Sequence, residues 1–454
     1  MKSTSQATRP RAVTGPELFD SGSIWRILAR IAPPVMFSQL ILSLYNIVDS
    51  YFVGQYTADG LTALSVVYPI QIVITALAVG TGVGVNTHMA RMYAQHRDDE
   101  ADTTAGAGLF LSLITWVIFA AFSALIMRPF VEASAESQAA VEYGVTYGLI
   151  VCVGSVGTFA ESIFTKVHQA QGNMKLPMVA QVAGAVTNVV LDPILIFGLG
   201  GIPAMGVAGA AWATVAGQVV SAVITGVRGF RRIPPLRDII YYAKPIYALG
   251  YPSIFMQLMY TIYIMVLNFI LTGFSDAAVT VLGLYYKMQG FFFIPLNGLG
   301  TCIVPLLSFQ YARGNFQNCR KIFFDTVVIA MAFMLIGVAC FEFIPTALLG
   351  IFADDEEVLR IGETAFRIIG LSFIPAVVSL TMPMFFQAIG RALPSVLLSV
   401  TRQMLGLIPL FWLFSLIGLD YTWMAFPCAE IITAAVGSVL YRRQVKGWQT
   451  GETQ

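Results

Sequence analysis

Twelve stretches of twenty or more mostly apolar residues follow one another along the chain, joined by short connections. A helix needs about 20 such residues to cross the hydrocarbon core of a bilayer. The stretches are 31–53, 63–88, 104–127, 141–165, 176–198, 207–227, 246–273, 279–308, 322–343, 358–386, 393–417 and 421–441. This pattern predicts an all-α membrane protein of twelve transmembrane helices. Only 11% of the 454 residues are charged and 57% are hydrophobic, whereas a soluble domain has about 25% charged. An ordinary soluble enzyme, a secreted disulfide scaffold and a disordered chain are excluded. The net charge of +1 gives no basic field for nucleic acid. The five cysteines, Cys152, Cys302, Cys319, Cys340 and Cys428, have no C-x-x-C spacing, so neither a metal site nor a disulfide framework is expected. The first 23 residues are polar, so no cleaved signal peptide is expected.

Cytoplasmic loops hold the excess of Lys and Arg. With the N-terminus inside, one set of segments carries 21 of the 26 basic residues, and the opposite loops carry two, Arg128 and Arg360. Acids such as Asp354, Asp355, Glu356 and Glu357 fall in the opposite loops. The expectation is a multi-pass protein of the cytoplasmic (inner) membrane with both termini cytoplasmic, which requires an even number of spans.

The sequence also aligns with itself at an offset of 218. Between positions 34 and 94, 14 of 61 residues are identical without a gap, where a shuffled chain would give roughly 4. The matches include Pro34 with Pro252, Gln39 with Gln257, Tyr45 with Tyr263, Tyr68 with Tyr286 and Gly80 with Gly298. Each repeat then holds six spans in the same orientation, giving two pseudo-symmetric six-helix bundles. The expected division is 1–227 for the N-terminal lobe, 228–245 for a basic cytoplasmic linker and 246–454 for the C-terminal lobe. Transporters use such paired bundles, which rock around a central cavity.

An ionisable residue in mid-span costs about 2.5–3.5 kcal/mol by insertion scales and needs a reason. Asp49 lies about 27 Å along the first span from Ile31, and Asp192 about 24 Å along the fifth from Leu176. Both spans run outward, so the two carboxylates reach a similar depth. Asn188 precedes Asp192 by four residues and shares its helix face. The bland alternative is that these acids cap helices near the outer surface. Glu161, with Lys166 five residues on, is either half of a helix-end ion pair or an acid facing the cavity. In the second bundle Lys287, Arg367, Arg402 and Glu430 lie within spans, and Arg402 and Glu430 are expected to pair. Mid-span charge is thus acidic in the first bundle and mainly basic in the second, which places cation or proton chemistry in the first.

Pro34, after Pro33, removes a backbone hydrogen bond and bends a helix interior, or sits harmlessly in a first turn. Gly80, Gly82 and Gly84 permit close helix packing. Gln39, Gln257, Glu161 and Lys287 are further candidates for a central cavity.

Several segments carry a family resemblance. Ala32-Pro33-Pro34 through Tyr45-Asn46-Ile47-Val48-Asp49-Ser50-Tyr51-Phe52-Val53-Gly54 resembles the first span of the multidrug and toxic compound extrusion (MATE) family. Gln169-Ala170-Gln171-Gly172-Asn173, followed by Asn188-Val189-Val190-Leu191-Asp192-Pro193, is similar to its fourth-to-fifth-span signature. Gly206-x-x-Gly209-Ala210-Ala211-Trp212-Ala213-Thr214 resembles the start of its sixth span, and Lys287 through Gly300 its eighth. The resemblance covers nearly the whole chain and is nearest the bacterial MepA-like or DinF-like branches. It implies two six-helix lobes forming a V, and export of cationic amphipathic compounds in exchange for protons or sodium. It places the coupling ion at Asp49, Asn188, Asp192 and Thr214 with Tyr45 nearby, with a possible sodium at Asp49 and Asp192, and assigns the bending proline to Pro34. Spans 246–273 and 358–386 hold no Asp, so the coupling site is expected in the first lobe.

The reading is a secondary-active multidrug antiporter, acting as a monomer in the lipid bilayer without cofactor and driven by H+ or Na+. Two neighbouring carboxylates in a low-dielectric site are costly to hold ionised together, so such a pair binds a proton or a cation. The alternative is a lipid-linked precursor flippase, using Lys287, Arg367 and Arg402 for a pyrophosphate head group. An intramembrane enzyme is disfavoured: the three histidines, His88, His96 and His168, form no H-E-x-x-H motif.

Overall fold

The computed structural model describes residues 24–134, 137–352 and 355–450. The N-terminal polar segment and the loop acid Asp354 lie outside the described residues. The first lobe comprises α1 (Ile24–Tyr56), α2 (Ala58–Ala94), α3 (Asp98–Glu132), α4 (Gln138–Gly154), α5 (Val156–Ala170), α6 (Lys175–Phe197) and α7 (Val207–Gly229). The second comprises α8 (Leu236–Leu271), α9 (Asp276–Phe292), α10 (Ile294–Ala312), α11 (Phe316–Phe343) and α12 (Pro345–Leu349). It continues with α13 (Glu356–Gly370), α14 (Phe373–Ala388), α15 (Ala392–Val400), α16 (Ile408–Ser415), α17 (Leu419–Thr422) and α18 (Ala425–Thr450). Ten helical stretches among the described residues are long and apolar enough to cross a membrane, and two bent pairs, α9 with α10 and α13 with α14, bring the spans to twelve. The chain is an all-α membrane protein of two six-span lobes. Only residues 230–235 separate α7 from α8, so much of the expected linker is helical.

The bends have local causes. Pro295 has no N–H for the carbonyl of Phe291, and the axis turns by 51° there. Pro375 likewise leaves the Leu371 carbonyl without its donor, beside a 55° bend. The fourth span breaks at Ser155 without a proline; Gly154 weakens the helix, and the Ser155 hydroxyl donates to the Cys152 carbonyl at 2.7 Å. The breaks in the fourth and tenth spans fall at nearly equivalent repeat positions. The bend between α9 and α10 has no counterpart in the unbroken α2. Pro34 lies well inside α1, which begins by Ile24, so the harmless first-turn alternative is ruled out.

Lipid supplies no hydrophobic drive between helices, so close packing decides which helices meet. An added Cβ at Gly84 would fall on the carbonyl oxygen of Ile246, and one at Gly250 on that of Gly80. Here α2 of the first lobe meets α8 of the second backbone to backbone. The repeat-related contact places Gly298 of α10 on Met36 of α1. One continuous buried cluster joins residues 24–35 of α1, the last part of α2, the start of α8 and the second lobe. A separate cluster holds the other half of the first lobe, from Val53 and Leu64 to Ala211. The lobes are therefore joined at the end carrying both described chain ends and part toward the other, which is the V.

Candidate functional site

A cavity of about 330 Å³ lies in the mouth of the V. Most of its wall comes from the first lobe, and Gln257 and Tyr260 of α8 close it from the second. Asp49 is the one charged residue in this wall. It sits well inside α1, one turn after Tyr45, which lines the same cavity. The Asp49 side chain is buried, and its Oδ1 finds no hydrogen-bond partner among the described residues. Two further wall atoms share this condition, Thr158 Oγ1 and Gln218 Oε1. A buried polar atom without a partner forfeits about 1–3 kcal/mol, so three in one wall mark a place built for something that supplies hydrogen bonds.

Asp192 lies behind this wall, wholly buried in α6 and within electrostatic reach of Asp49. Asn188, one turn earlier, connects it to α7. With its amide oxygen accepting from the Thr214 backbone N–H at 3.2 Å, the amide nitrogen donates to Asp192 at 3.3 Å. Thr214 itself lines the cavity. Helix α6 runs through Pro193 to Phe197, and neither acid stands at a helix start, so the helix-capping alternative is set aside. Tyr147 is buried against the same wall and accepts from Gln71 Nε2 at 3.1 Å. At the repeat offset Asp49 corresponds to Leu267 and Asp192 to Leu410, so this acid pair exists in one lobe only.

The structure thus brings Asp49, Tyr45, Asn188, Asp192 and Thr214 together, and adds Gln257 from the second lobe. It does not bring Gln39, Glu161 or Lys287 to the wall of this cavity. Glu161 accepts from Thr165 at 2.6 Å and Lys166 donates to Gln169 at 2.9 Å, and the two charges stand within electrostatic reach of each other, as the ion-pair alternative expects, without a direct contact. Lys287 lies over the ring of Phe352, 5.6 Å from its centroid. Arg402 pairs with Glu430 at 2.7 Å, and Ser379 donates to the same carboxylate. Arg402 lies in a short π-helical turn at Thr401–Leu407, which widens the helix beside Glu430. Arg367 pairs with Glu363 at 2.8 Å. Among the described residues no group of three His, Cys, Asp or Glu is arranged to hold a metal.

Thr158, Gln218, Tyr68 and Gln71 also line the cavity and escaped the sequence reading. They are uncharged, and in an apolar span a lone Thr or Gln carries no signal. Tyr68 was visible only as a repeat match with Tyr286, not as a cavity residue.

The MatE family model matches twice, at residues 34–194 and 252–412, with the same 218-residue offset at which the sequence aligns with itself. A protein described as an FAD transporter in Shewanella oneidensis is 20% identical over 420 residues, covering 91% of this chain and 93% of its own. The multidrug export protein MepA of Staphylococcus saprophyticus is 21% identical, covering 93% and 94%. Among solved structures, the outward-facing conformation of a multidrug resistance MATE family transporter superposes with a TM-score of 0.90 at 23% identity, covering 96% of this chain and 99% of that one. Two repeats and two six-span lobes are thus matched over almost the whole length, and the chain belongs to the MatE family of membrane transporters.

Proposed function

We propose that the protein is a secondary-active antiporter that exports cationic amphipathic compounds in exchange for protons or sodium. The observation that carries this reading is the unpartnered Asp49 carboxylate oxygen in a cavity wall that holds no basic residue. A carboxylate there attracts an organic cation, a proton or sodium, and these compete. Tyr45, Tyr68 and Tyr260 give the aromatic faces on which a flat cation rests. When a proton or sodium ion reaches Asp49 and Asp192, their mutual repulsion falls and the cation loses its countercharge. Asn188 ties Asp192 to α7, so a change at either acid reaches the packing of α1, α6 and α7. Pro34, interior to α1, is the point at which that helix bends.

The basic asymmetry puts both termini in the cytoplasm of a bacterial inner membrane, so the cavity in the V faces outward. The two units are 1–227 and 246–454, joined through 228–245, and one chain suffices because the cavity is enclosed by its own lobes. The homologues named for multidrug export support the substrate class. The flippase alternative lacks support: Arg402 and Arg367 are each held by a carboxylate, leaving no basic cluster for a pyrophosphate.

The test is uptake of a fluorescent organic cation into liposomes holding the purified protein, driven separately by a pH gradient and a sodium gradient. Transport under either gradient, lost in Asp49→Asn, is expected. Equal transport by wild type and Asp49→Asn, or response to neither gradient, overturns the reading.

A further inference from the structure

The second lobe repeats part of the first-lobe site with a different charge in it. At the repeat offset Tyr45, Tyr68 and Gln71 of the cavity wall correspond to Tyr263, Tyr286 and Gln289. The rings of Tyr263 and Tyr286 lie 6.2 Å apart, and Tyr260, which lines the cavity, packs on them at 5.3 and 6.2 Å. Beside these rings, outside the cavity wall, stand Arg402 and Glu430, within electrostatic reach of Tyr263. Asp49 and Asp192 stand within the same reach of Tyr45. Equivalent tyrosines thus face two acids in one lobe, and an acid with a base in the other. The second pair is held firmly. Arg402 donates from Nε at 2.8 Å and Nη2 at 2.7 Å to Oε1 of Glu430, and Ser379 donates to Oε2. Glu430 is buried, and the π-helical turn at Thr401–Leu407 widens the helix where Arg402 leaves it.

A buried carboxylate needs a cation or hydrogen-bond donors to stay buried. Asp49 and Asp192 have no basic partner, so theirs must come from solution. Glu430 has its cation on the same chain. We infer that Arg402 is a tethered cation filling the second-lobe counterpart of the coupling site, and that it confines ion uptake to the first lobe. Without Arg402, Glu430 becomes a second ion site. This inference rests on the antiporter reading for the first-lobe site and adds to it the residue that sets how many ions move per substrate. An ion pair that only stabilises the fold leaves that number unchanged.

The test uses the full-length protein in liposomes with the voltage clamped to zero by potassium and valinomycin. The final accumulation of a fluorescent organic cation is followed against the size of the driving gradient, pH or sodium. On logarithmic axes the slope is the number of ions exchanged per substrate. Arg402→Ala should raise that slope by one ion, and Arg402→Lys, which keeps a tethered charge, should not. Methylguanidinium fits the space that the Arg402 guanidinium leaves. It should return the Arg402→Ala slope to the wild-type value and raise that variant's melting temperature, as a ligand of the folded state does, while leaving wild type unchanged. Adding Glu430→Gln to Arg402→Ala should abolish both effects. A slope unchanged in Arg402→Ala, or a raised slope that persists with Glu430→Gln, overturns the inference. Where Arg402→Ala folds poorly it is purified in methylguanidinium, and a melting temperature that ignores removal of that ion overturns it as well. If Asp49→Asn transports like wild type, the antiporter reading fails, whatever methylguanidinium does at Glu430. If Asp49→Asn abolishes transport while the slope ignores Arg402, the antiporter reading stands and the tethered cation falls.

Discussion

Arg91, near the end of α2 in the first lobe, donates from Nη2 to the carbonyl oxygen of Ala388 in the second, 3.0 Å away. Its guanidinium also lies 5.9 Å from the ring centroid of Tyr311. The Ala388 carbonyl is one of the last in α14, where no intrahelical donor is available, and Ser308 shares it. A charged donor on an orphaned carbonyl across the lobe interface is a latch on the sealed end. It is supported by Tyr242 of α8, whose hydroxyl donates to Glu100 of α3 at 3.2 Å.

Removing the latch should open the sealed end. A hydrogen bond to a charged group contributes about 1.5–3 kcal/mol, so Arg91→Ala is expected to raise the population open at that end by about tenfold or more. Spin labels at Asp99 and Gln317, both exposed and in different lobes, read this as a new longer-distance component. An unchanged distance distribution would show that Arg91 holds nothing shut.

Asp49→Asn and Asp192→Asn should each cut gradient-driven transport by more than tenfold while leaving the melting temperature within a few degrees. Asn188→Ala should fall between, by about threefold to tenfold, because it removes the one donor described for Asp192 and leaves both acids in place. Transport in the Asn188 variant equal to wild type would separate Asp192 from the cavity.

Gly84→Val tests the seam between α2 and α8. The added Cβ meets the Ile246 backbone, which cannot swing aside as a side chain can. Overpacking of this kind costs about 1–3 kcal/mol. The state sealed at this end should lose that amount relative to the state open there, read as faster hydrogen exchange at the start of α8. Gly200→Ala makes a poor control despite its open surroundings, since its φ of +71° strains any other residue; Gly283→Ala, with no atom within 4 Å of the added Cβ, is the better one.

The Arg402 and Glu430 pair makes a stability prediction. Arg402→Met alone strands a buried carboxylate and should destabilise by about 3–5 kcal/mol. Arg402→Met combined with Glu430→Leu should recover most of that loss, read by thermal unfolding in detergent. A double variant as unstable as the single one would mean that the pair does more than neutralise itself. Gradient-driven transport surviving in the double variant would confine coupling to the first lobe.

The apolar runs made the spans legible, and the offset repeat made the two lobes legible, because both are properties of composition and order. Asp49 and Asp192 stood out because a carboxylate in an apolar run is costly, and Asn188 because it precedes Asp192 by one turn on the same helix face. Lys287 stood out for the same reason but lies against Phe352, since a long aliphatic stem lets a charged end leave the bilayer centre. Lys166 read only as a partner for Glu161; its place depends on how α5 packs on α2, which Gly82 sets through its contacts with Lys166 and Ser162. The break at Ser155 was invisible for want of a proline, and Gln218 and Thr158 for want of charge.

The seal between Gly80, Gly84 and Gly250 has an electrical consequence. Where α2 and α8 pack backbone on backbone at these glycines no water fits between the two helices, whereas the mouth of the V reaches to Asp49. The membrane voltage therefore drops mostly across the sealed part, and an ion arriving at Asp49 from the open side crosses little of it. Full passage of one charge through 100 mV is worth about 2.3 kcal/mol. In the antiport proposed above, that energy is exchanged when the seal moves from one face of the protein to the other, so the turnover step, rather than ion binding, is expected to carry the voltage dependence.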